Sequence, residues 1–210
     1  MIYTIELLSD TLPGSGFEAS VHIDSDVAVD ESGIPLIPGK RIKGLLHESA
    51  LEYLECMPVS AQDRVQELID SLFGLPGKGA PKTIHVTDAL WERQENLVQW
   101  LNFIQENDHQ HALVGLCQPG LVTDHFTYIR HQTALENGVA KDHALRSMRV
   151  LKRGQKFTGS VVSRNGDFTR EAKDLLSAAA ANLRFLGMNR NRGFGQIAFK
   201  FHESKAEVTP

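Results

Sequence analysis

The sequence lacks the features that would place it among secreted, membrane or fibrous proteins. Its 210 residues include only two cysteines, Cys56 and Cys117, neither with a nearby partner, which argues against a disulfide scaffold and fits a reducing cytoplasm. No apolar run approaches the roughly 20 residues of a bilayer-spanning helix, and no basic N-terminal segment marks a signal peptide. With 41% hydrophobic and 23% charged residues, wholesale disorder is excluded. We expect one cytoplasmic domain with a sizeable core and no membrane partner.

Basic side chains are missing from the first 39 positions, which hold seven acidic residues and no Lys or Arg. Residues 130–200 instead hold 14 basic and five acidic residues, a local net charge of +9, although the whole chain carries −4. Such an asymmetry favours a polyanion, for example a nucleic acid, bound on one face. Uneven solvated charge would give the same counts.

Hydrophobic periodicity predicts the order strand, helix, strand, strand, helix, strand. The strands are expected at 1–8, 83–90, 155–164 and 196–201, and the helices at 41–55 and 168–186, the latter closed by Gly187. Between them we expect a strand at 18–24, a helix from Ser60 with a Ser60/Asp63 capping pattern, a short helix within 94–107, a strand at 126–131 and a turn at 136–138. The order is that of a ferredoxin-like α+β fold, shared with the RNA-recognition motif.

A first candidate site lies where a helix follows Pro38 and Gly39. Lys40, Arg41 and Lys43 fall in its first turn, where positive charge opposes the helix dipole. The arrangement makes sense if an anion binds there, because free backbone N–H groups and three cations would converge on a phosphate. The alternative is that these cations pair with the acidic segment 24–31.

A second candidate site is the segment Gly187–Gly195, GMNRNRGFG, between the long helix and the last strand. Its glycines permit close approach to a backbone, and Arg190 and Arg192 supply positive charge. A dinucleotide-binding fingerprint would follow an early strand and open a helix, so this position excludes that interpretation. A plain loop remains the alternative.

Four side chains of the types that bind zinc lie close together in sequence: His109, His111, Cys117 and His125. Their spacing matches no standard zinc motif, so a polar loop is the favoured interpretation.

Four segments resemble motifs of the RAMP superfamily (repeat-associated mysterious proteins) of CRISPR systems. PLIPGKRIKGLLHESA resembles the proline-glycine, lysine-glycine helix signature, and SLFG with IHVTDA resembles the Phe-Gly motif and the Asp-Ala strand. ENGVAKDHALRSMRVLKRGQKFTGSVV is similar to the thumb hairpin of type III backbone subunits, and FLGMNRNRGFGQI to the C-terminal glycine-rich loop. The matches keep the family's order over residues 12–201, whereas 92–125 match no motif.

The resemblance implies a single RAMP domain spanning residues 1–210. Its fold would be α+β, a ferredoxin-like (RRM-like) palm with an inserted thumb β-hairpin at about 126–150 and a small helical insertion. Insertions would lie at about 56–82 and 92–125.

The resemblance also implies a function and partners. Copies of such a subunit, or related RAMP subunits, stack along a CRISPR guide RNA together with the large and small subunits of a type III effector complex. The guide pairs with single-stranded target RNA. In catalytic members an Asp in the loop before the Pro-Gly helix cleaves the target with a divalent metal such as Mg²⁺.

Carried onto this sequence, the resemblance makes Asp24 the catalytic residue and metal ligand. Asp26 is the second match, because one gap in the loop would exchange the two, and His22 is a candidate acid or base. An acidic solvated loop that includes Asp30 is the alternative, and for His22 a structural role.

RNA contacts are implied at three places. They are Lys40, Arg41 and Lys43 at the helix start, Arg130, Lys141, Leu145 and Met148 in the thumb, and Asn189, Arg190, Arg192 and Gly193 in the C-terminal loop. Leu145 and Met148 would wedge between bases, unless they pack inside the hairpin. His131, next to Arg130, is left without a role.

Three functions remain open on the sequence. The chain is a catalytic backbone subunit that cleaves target RNA, a non-catalytic subunit that binds guide RNA, or an RNase that processes CRISPR precursor RNA. The third ranks last, because such enzymes usually carry two ferredoxin-like units and a catalytic His.

Overall fold

The computed structural model describes residues 1–14, 23–74, 83–108, 113–133, 135–136, 139–140 and 145–202. The strands there are β1 (Ile2–Leu7), β2 (Ala28–Val29), β3 (Pro35–Ile37), β4 (Ile84–Val86), β5 (Ala89–Trp91), β6 (Thr127–Gln132), β7 (Leu135–Glu136), β8 (Val139–Ala140), β9 (Arg146–Leu151), β10 (Lys156–Ser163) and β11 (Ile197–His202). The α-helices are α1 (Gly39–Glu55), α2 (Val59–Phe73), α3 (Gln94–Asn107), α4 (Pro119–Phe126) and α5 (Arg170–Asn182). Short 3₁₀ helices cover Val114–Cys117 and Arg190–Arg192.

The main sheet has the order β11-β1-β10-β5-β3-β2, with β4 also paired to β10, and its strand pairs are antiparallel. Between β1 and β4 the chain forms β2, β3 and then the helices α1 and α2. Helix α5 connects β10 to β11. Strand β1 therefore lies in the middle between β10 and β11, as the ferredoxin-like topology requires. The predicted α+β, ferredoxin-like fold is confirmed. Among the described helices, none is long and apolar enough to cross a bilayer.

The core lies between the sheet and the helices α1, α2 and α5. Tyr3, Ile5 and Leu7 of β1 alternate with more exposed residues, and they pack in one cluster with apolar side chains of all three helices. Ser49 on α1 donates a hydrogen bond of 2.8 Å to the carbonyl of Ala179, which joins α1 to α5. These contacts are the expected result of strand alternation and of an apolar stripe on each helix.

The opposite face of the sheet differs from that of an RNA-recognition motif. On the three paired strands β1, β10 and β11, its positions are Ile2, Thr4, Glu6, Lys156, Thr158, Ser160, Val162, Ala198, Lys200 and His202. The aromatic residues Tyr3, Phe157 and Phe199 are buried on the helix side. Bases of single-stranded RNA stack on aromatic side chains in RNA-recognition motifs. On those strands this sheet face carries no Phe, Tyr or Trp, and His202 is its single aromatic side chain, which directs the search for an RNA site to the loops and the hairpin.

The predicted strand at 83–90 is divided into β4 and β5. Thr87 donates its backbone N–H to the carbonyl of Ser160 at 2.9 Å, and its hydroxyl accepts the N–H of Ser160 at 2.9 Å. The Thr87 hydroxyl thus takes the place of a backbone acceptor, and the next residue, Asp88, lies outside both strands. The hairpin of β2 and β3 was not predicted, because both strands are too short for a periodic signal.

One predicted helix end and one predicted helix cap are wrong. Helix α5 ends at Asn182 instead of residue 186, and Gly187 is not its cap. Leu186 instead donates its N–H to the carbonyl of Gly195 at 2.8 Å, and a Cβ on Gly187 would lie 2.2 Å from the carbonyl oxygen of Leu12. Helix α2 follows Pro58 without a side-chain cap, so the capping pattern expected at Ser60 is not used.

A hairpin formed by β6 and β9 stands beside the palm, and we call it the thumb hairpin. Its register runs from Thr127 opposite Leu151 to Gln132 opposite Arg146. Beyond it β7 pairs with β8, Glu136 opposite Val139, which agrees with the expected turn, although residues 137–138 lie outside the described part. Met148 and Val150 pack with Leu12 and Phe194 and anchor the thumb hairpin to the palm.

The segment 92–125 contains helices α3 and α4, of which the sequence predicted α3. Ile34, Val122 and Phe126 form a small apolar cluster of their own, against which Trp91 packs. Thr123 joins α4 to the β2–β3 turn through a hydrogen bond of 2.8 Å to the carbonyl of Gly33. This segment is therefore a helical layer attached to the edge of the sheet.

Gly39, the first residue of α1, allows a comparison of two glycines on one helix. A Cβ on Gly39 would lie 2.3 Å from the carbonyl oxygen of Val86 and 2.5 Å from that of Thr87, both backbone atoms. We expect Gly39→Ala to lower the free energy of unfolding by about 1–3 kcal/mol, because the helix must move away from the sheet. Chemical denaturation measures this change.

Gly44→Ala is the control, since a Cβ there meets nothing within 4 Å. Helix propensity alone should make this variant about 1 kcal/mol more stable. Equal stability of the two variants would contradict the packing argument for Gly39.

Candidate functional site

The acidic loop before α1 is attached to the thumb hairpin through Asp24. Asp24 donates its backbone N–H to the carbonyl of Ser147 at 2.9 Å, and its carboxylate Oδ2 accepts the N–H of Ser147 at 2.7 Å. The next residue, Ser25, accepts the N–H of Arg149 at 2.9 Å. The loop therefore runs along β9 as an extra strand-like segment, and the Asp24 side chain is exposed at its start.

Asp26, two residues further, lies in a different environment. Its Oδ1 accepts the N–H of Val27 at 2.8 Å and lies 3.2 Å from Nε of Arg149. The Arg149 side chain is only 15% exposed and also pairs with Asp124, and Asp26 itself is 27% exposed. The charge of Asp26 is thus neutralised within the fold.

Asp30 has a structural role. Its Oδ1 accepts the N–H groups of Ser32 and Ile34, which closes the turn between β2 and β3. Its Oδ2 accepts a hydrogen bond of 2.6 Å from the Gln94 side chain on α3. The alternative of an acidic solvated loop is therefore wrong for Asp30.

His131 lies opposite Ser147 across the thumb hairpin. Its Nδ1 is 3.0 Å from the Ser147 hydroxyl, and the side chain is exposed. Ser147 therefore contacts both groups: its hydroxyl contacts the His131 imidazole, and its backbone N–H donates to the Asp24 carboxylate. His22 lies outside the described residues.

The donor groups around Asp24 limit what kind of metal could bind. Within the described ranges, no three His, Cys, Asp or Glu side chains come together as a metal site. Mg²⁺ is commonly held by one or two carboxylates, substrate phosphates and water, without a full protein cage. The exposed Asp24 carboxylate fits that kind of site, whereas Asp26 is already paired with Arg149.

The two described members of the His/Cys group lie in unlike places. Cys117 is buried, and its thiol lies 3.9 Å from the carbonyl of Leu113. His125 is exposed and contacts the ring of Phe126 edge to face. His109 and His111 lie outside the described residues, so the polar-loop interpretation stands as a prediction.

The three cations at the start of α1 separate into two groups. Lys40 is exposed, and the Arg41 guanidinium lies over Gly14, where a Cβ would be 2.7 Å from Nη2. Lys43 instead donates a hydrogen bond of 3.1 Å to the carbonyl of Ile84 on β4. We therefore place Lys40 and Arg41 in the candidate site and Lys43 at the sheet edge.

The N-terminus of α1 already has an anionic partner. The N–H of Gly39 donates to Oδ1 of Asp88 at 2.7 Å, and the N–H groups of Arg41 and Ile42 bond to the carbonyl of Pro38. The expected set of free N–H groups for a phosphate is thus reduced, because a carboxylate from the β4–β5 link binds there. A phosphate contact at this helix start would therefore have to come from the Lys40 and Arg41 side chains.

The C-terminal loop lies against both the palm and the thumb hairpin. Asn189 adopts a left-handed conformation, with φ of 58°, and its Nδ2 contacts the sulfur of Met148 at 3.7 Å. Nε of Arg190 donates to the carbonyl of Gly187 at 3.0 Å, and this guanidinium lies 3.9 Å from Glu48. Arg192 and Gly193 are exposed at the tip.

Arg130 connects the thumb hairpin to this loop. Its Cζ lies 4.7 Å from the ring centroid of Phe194, a cation–π contact, while the guanidinium is exposed. Beside it, Tyr128 donates to Asp10 at 2.7 Å. Burial raises the pKa of Tyr128, the Asp10 carboxylate raises it further, and Arg130 opposes the shift. The phenol therefore stays protonated and holds its hydrogen bond.

The two candidate wedge residues of the thumb differ in exposure. Leu145 is 66% exposed just before β9, whereas Met148 is 7% exposed in the cluster that anchors the hairpin. The placement of Met148 favours the packing alternative and leaves Leu145 as the candidate for base contact. Lys141 lies outside the described residues.

The candidate residues come together because the segment Leu12–Gly14 lies between their elements. The N–H of Met188 donates to the carbonyl of Leu12 at 3.0 Å, and Gly14 touches Arg41. We call the resulting patch the basic surface. It consists of Lys40, Arg41, Arg130, Arg190 and Arg192. Asp24 is bonded to β9 of the thumb hairpin, and His131 projects from the face of the hairpin opposite to that of Arg130.

Comparison with known proteins gives one family and a set of similar folds. The family model of the RAMP superfamily matches residues 4–198. No curated protein matches the chain in sequence. A chain of the cryo-EM structure of Type III-B Cmr-beta in the apo state has a TM-score of 0.66 at 13% identity, covering 97% of both chains. A chain of Type III-B Cmr-beta bound to cognate target RNA has a TM-score of 0.64 at 13% identity, covering 95% of both.

Proposed function

The chain belongs to the RAMP superfamily, and we propose that it is an RNA-binding backbone subunit of a type III CRISPR effector complex that cleaves target RNA. One observation carries the proposal. The exposed Asp24 carboxylate is fixed by Ser147 on the thumb hairpin, next to the basic surface. A nucleic-acid backbone that follows the basic surface would pass this carboxylate.

The basic surface would bind the guide RNA through its phosphates. Phosphate contacts position a nucleic acid, and in guide-directed complexes base pairing reads the sequence. The exposed Leu145 would contact bases at the thumb. Because the chain as a whole carries −4, we expect one subunit to bind weakly and several subunits in a row to bind tightly.

The proposed partners come from the family. We propose guide RNA, single-stranded target RNA, further copies or related RAMP subunits, and the large and small subunits of the complex, in the cytoplasm. Support comes from the family and from similar folds in Cmr-beta chains, one of them in a complex bound to cognate target RNA.

The cleavage chemistry assigned to this site is attack by a ribose 2′-hydroxyl on the adjacent phosphorus. Asp24 would orient the target strand and take the proton of that hydroxyl. If Asp24 instead holds Mg²⁺, the metal would supply positive charge at the scissile phosphate. The products would be a 2′,3′-cyclic phosphate and a 5′-hydroxyl.

A second candidate function is a subunit that binds guide RNA without cleaving. It is favoured by the lack of a three-ligand metal group among the described residues and by the hydrogen bond that Asp24 already accepts from Ser147. The third function, processing of precursor RNA, has less support, since the described residues form one ferredoxin-like unit.

Guide-directed cleavage tests the proposal. The protein, co-expressed with its complex where possible, is mixed with a guide RNA and a labelled complementary RNA, with Mg²⁺ or with EDTA. We expect evenly spaced cuts that need the guide and the metal, and no cuts in a non-complementary RNA. Guide-dependent binding without cuts would support the non-catalytic subunit. Metal-free cleavage of repeat hairpins would support the processing enzyme.

A further inference from the structure

His131 shares Ser147 with the carboxylate to which the proposed function assigns cleavage. We propose that His131 is the proton donor to the leaving 5′-oxygen of the target RNA. The proposal rests on the proposed function and adds a second catalytic residue to the same site. It is carried by the position of the imidazole, which is held on the thumb hairpin and exposed toward the surface.

Both reacting groups are attached to the thumb hairpin. The Asp24 loop is joined to Ser147 by two hydrogen bonds, one to each of its backbone polar groups, at 2.9 and 2.7 Å. His131 reaches the same residue from the neighbouring strand through the hydroxyl, at 3.0 Å. Catalytic groups held on paired strands keep their relative position better than groups on free loops.

The strand pair is in turn fixed to the palm. Met148, next to Ser147 on β9, is buried against Leu12 and Phe194. Arg149, the following residue, forms ion pairs with Asp26 and Asp124. Ser147 therefore adjoins an anchored segment, and its side chain, which is half-buried, lies on the hairpin face opposite to that of Met148.

The contact with Ser147 orients the imidazole. Nδ1 faces the hydroxyl, so Nε2 lies on the opposite side of the ring, away from β9. In a protonated imidazole both ring nitrogens are donors. Nδ1–H then donates to the Ser147 hydroxyl, and Nε2–H is left to donate to a bound RNA strand. A third group that orients an acid or base in this way is common in catalytic sites.

The step balances without a further reactant. The 2′-oxygen forms a bond to phosphorus while the bond from phosphorus to the 5′-oxygen breaks. The proton of the 2′-hydroxyl passes to Asp24, and Nε2 of His131 gives its proton to the departing 5′-oxygen. Exchange with solvent returns both groups to their starting forms, and nothing is oxidised or reduced.

A target RNA with sulfur in place of the bridging 5′-oxygen tests the donor role. A thiolate leaves readily without a proton, so this substrate does not need an acid. We expect His131→Ala to cleave ordinary RNA about 100-fold more slowly than the wild-type protein, the usual contribution of a positioned acid, and to cleave the sulfur substrate at nearly the wild-type rate. Single-turnover rates with bound guide RNA and Mg²⁺ measure both.

Two variants serve as controls. Ser147→Ala keeps the backbone bonds to Asp24 and loses only the contact with His131, so we expect a smaller loss that the sulfur substrate also restores. His85→Ala removes an exposed imidazole on β4 and should cleave both substrates at the wild-type rate.

The outcomes separate the two proposals. If His131→Ala is equally slow on both substrates, or fully active on ordinary RNA, the donor role is wrong and the proposed function stands. If the wild-type protein binds guide and target but cleaves neither substrate, the proposed cleavage function fails, and the donor role fails with it.

Discussion

Asp24→Asn is expected to slow guide-directed cleavage of target RNA by about 10²–10⁴-fold while guide binding stays unchanged. The amide oxygen of Asn can still accept the N–H of Ser147, the bond of 2.7 Å that attaches the loop to β9. The substitution therefore removes the negative charge and basicity of the side chain and keeps its main structural contact. Single-turnover cleavage with saturating guide RNA and Mg²⁺ measures the rate.

Asp26→Asn is the matched control, because it makes the same change two residues away. The Asp26 carboxylate is held by Arg149 and by the N–H of Val27, so we assign it to stability and not to cleavage. We expect the free energy of unfolding to fall by about 1 kcal/mol, as for other partly exposed ion pairs, and cleavage to persist. Loss of cleavage in Asp26→Asn but not in Asp24→Asn would reverse the assignment.

Equal activity of the wild-type protein and both variants would favour the non-catalytic subunit. Guide binding measured in parallel distinguishes this result from misfolding, since a folded subunit should keep its affinity for the guide. Circular dichroism of each variant provides the second check on the fold.

Removing three charges from the basic surface is the second change with a large expected effect. We expect the triple variant Lys40→Gln, Arg41→Gln, Arg192→Gln to bind guide RNA about 100-fold more weakly. Each lost phosphate contact should cost about 1 kcal/mol of binding free energy, and three such losses correspond to about that change in affinity. The slope of log affinity against log salt should become shallower by about 2, since each contact with single-stranded RNA contributes about 0.7. Fluorescence anisotropy at several salt concentrations measures both.

A variant with the same net charge provides the control. Arg170→Gln, Lys173→Gln and Lys200→Gln remove three exposed cations from α5 and from the open face of the sheet. We expect little loss of affinity there, because these positions lie outside the basic surface. Equal losses in the two triple variants would mean that binding follows net charge alone, and a flat salt response of the wild-type protein would contradict RNA binding.

Parts of the fold could be predicted because their signals are local. Alternation in β1 and β10 and the apolar stripes of α1 and α5 each come from residues a few positions apart, and their order is enough for the ferredoxin-like topology. The glycine and proline residues before α1 gave its start within two residues. The family could be identified for the same reason, since its motifs are short segments that keep their order.

Predictions about the end of α5, the N-terminus of α1 and Met148 failed or stayed open, because each depends on a residue far away in the sequence. Helix α5 stops early because the segment after it pairs with Gly195, and the N-terminus of α1 is occupied by Asp88, 49 residues away. Met148 is buried because Leu12 and Phe194 meet it from two other parts of the chain. No periodicity within a window of 10–20 residues contains those partners.

The pairing of His131 with Ser147 illustrates the difference most clearly. Continuing the register of Glu136 opposite Val139 would place His131 opposite position 144, whereas its partner is Ser147, three residues further. A turn signal thus indicates a hairpin but not the register beyond an irregularity.

The sequence alone was sufficient to predict the architecture, the family and the division of the chain into an acidic first part and a basic last part. Local spacing and composition carry that information. The meeting of Asp24, His131 and Ser147, the neutralisation of Asp26 by Arg149 and the separation of Lys43 from Arg41 required the folded chain. Each depends on which residues become neighbours across more than 15 positions of sequence or on which face of a helix meets which strand. Those contacts are set by packing of the whole domain, and the chemistry of the candidate site depends on them.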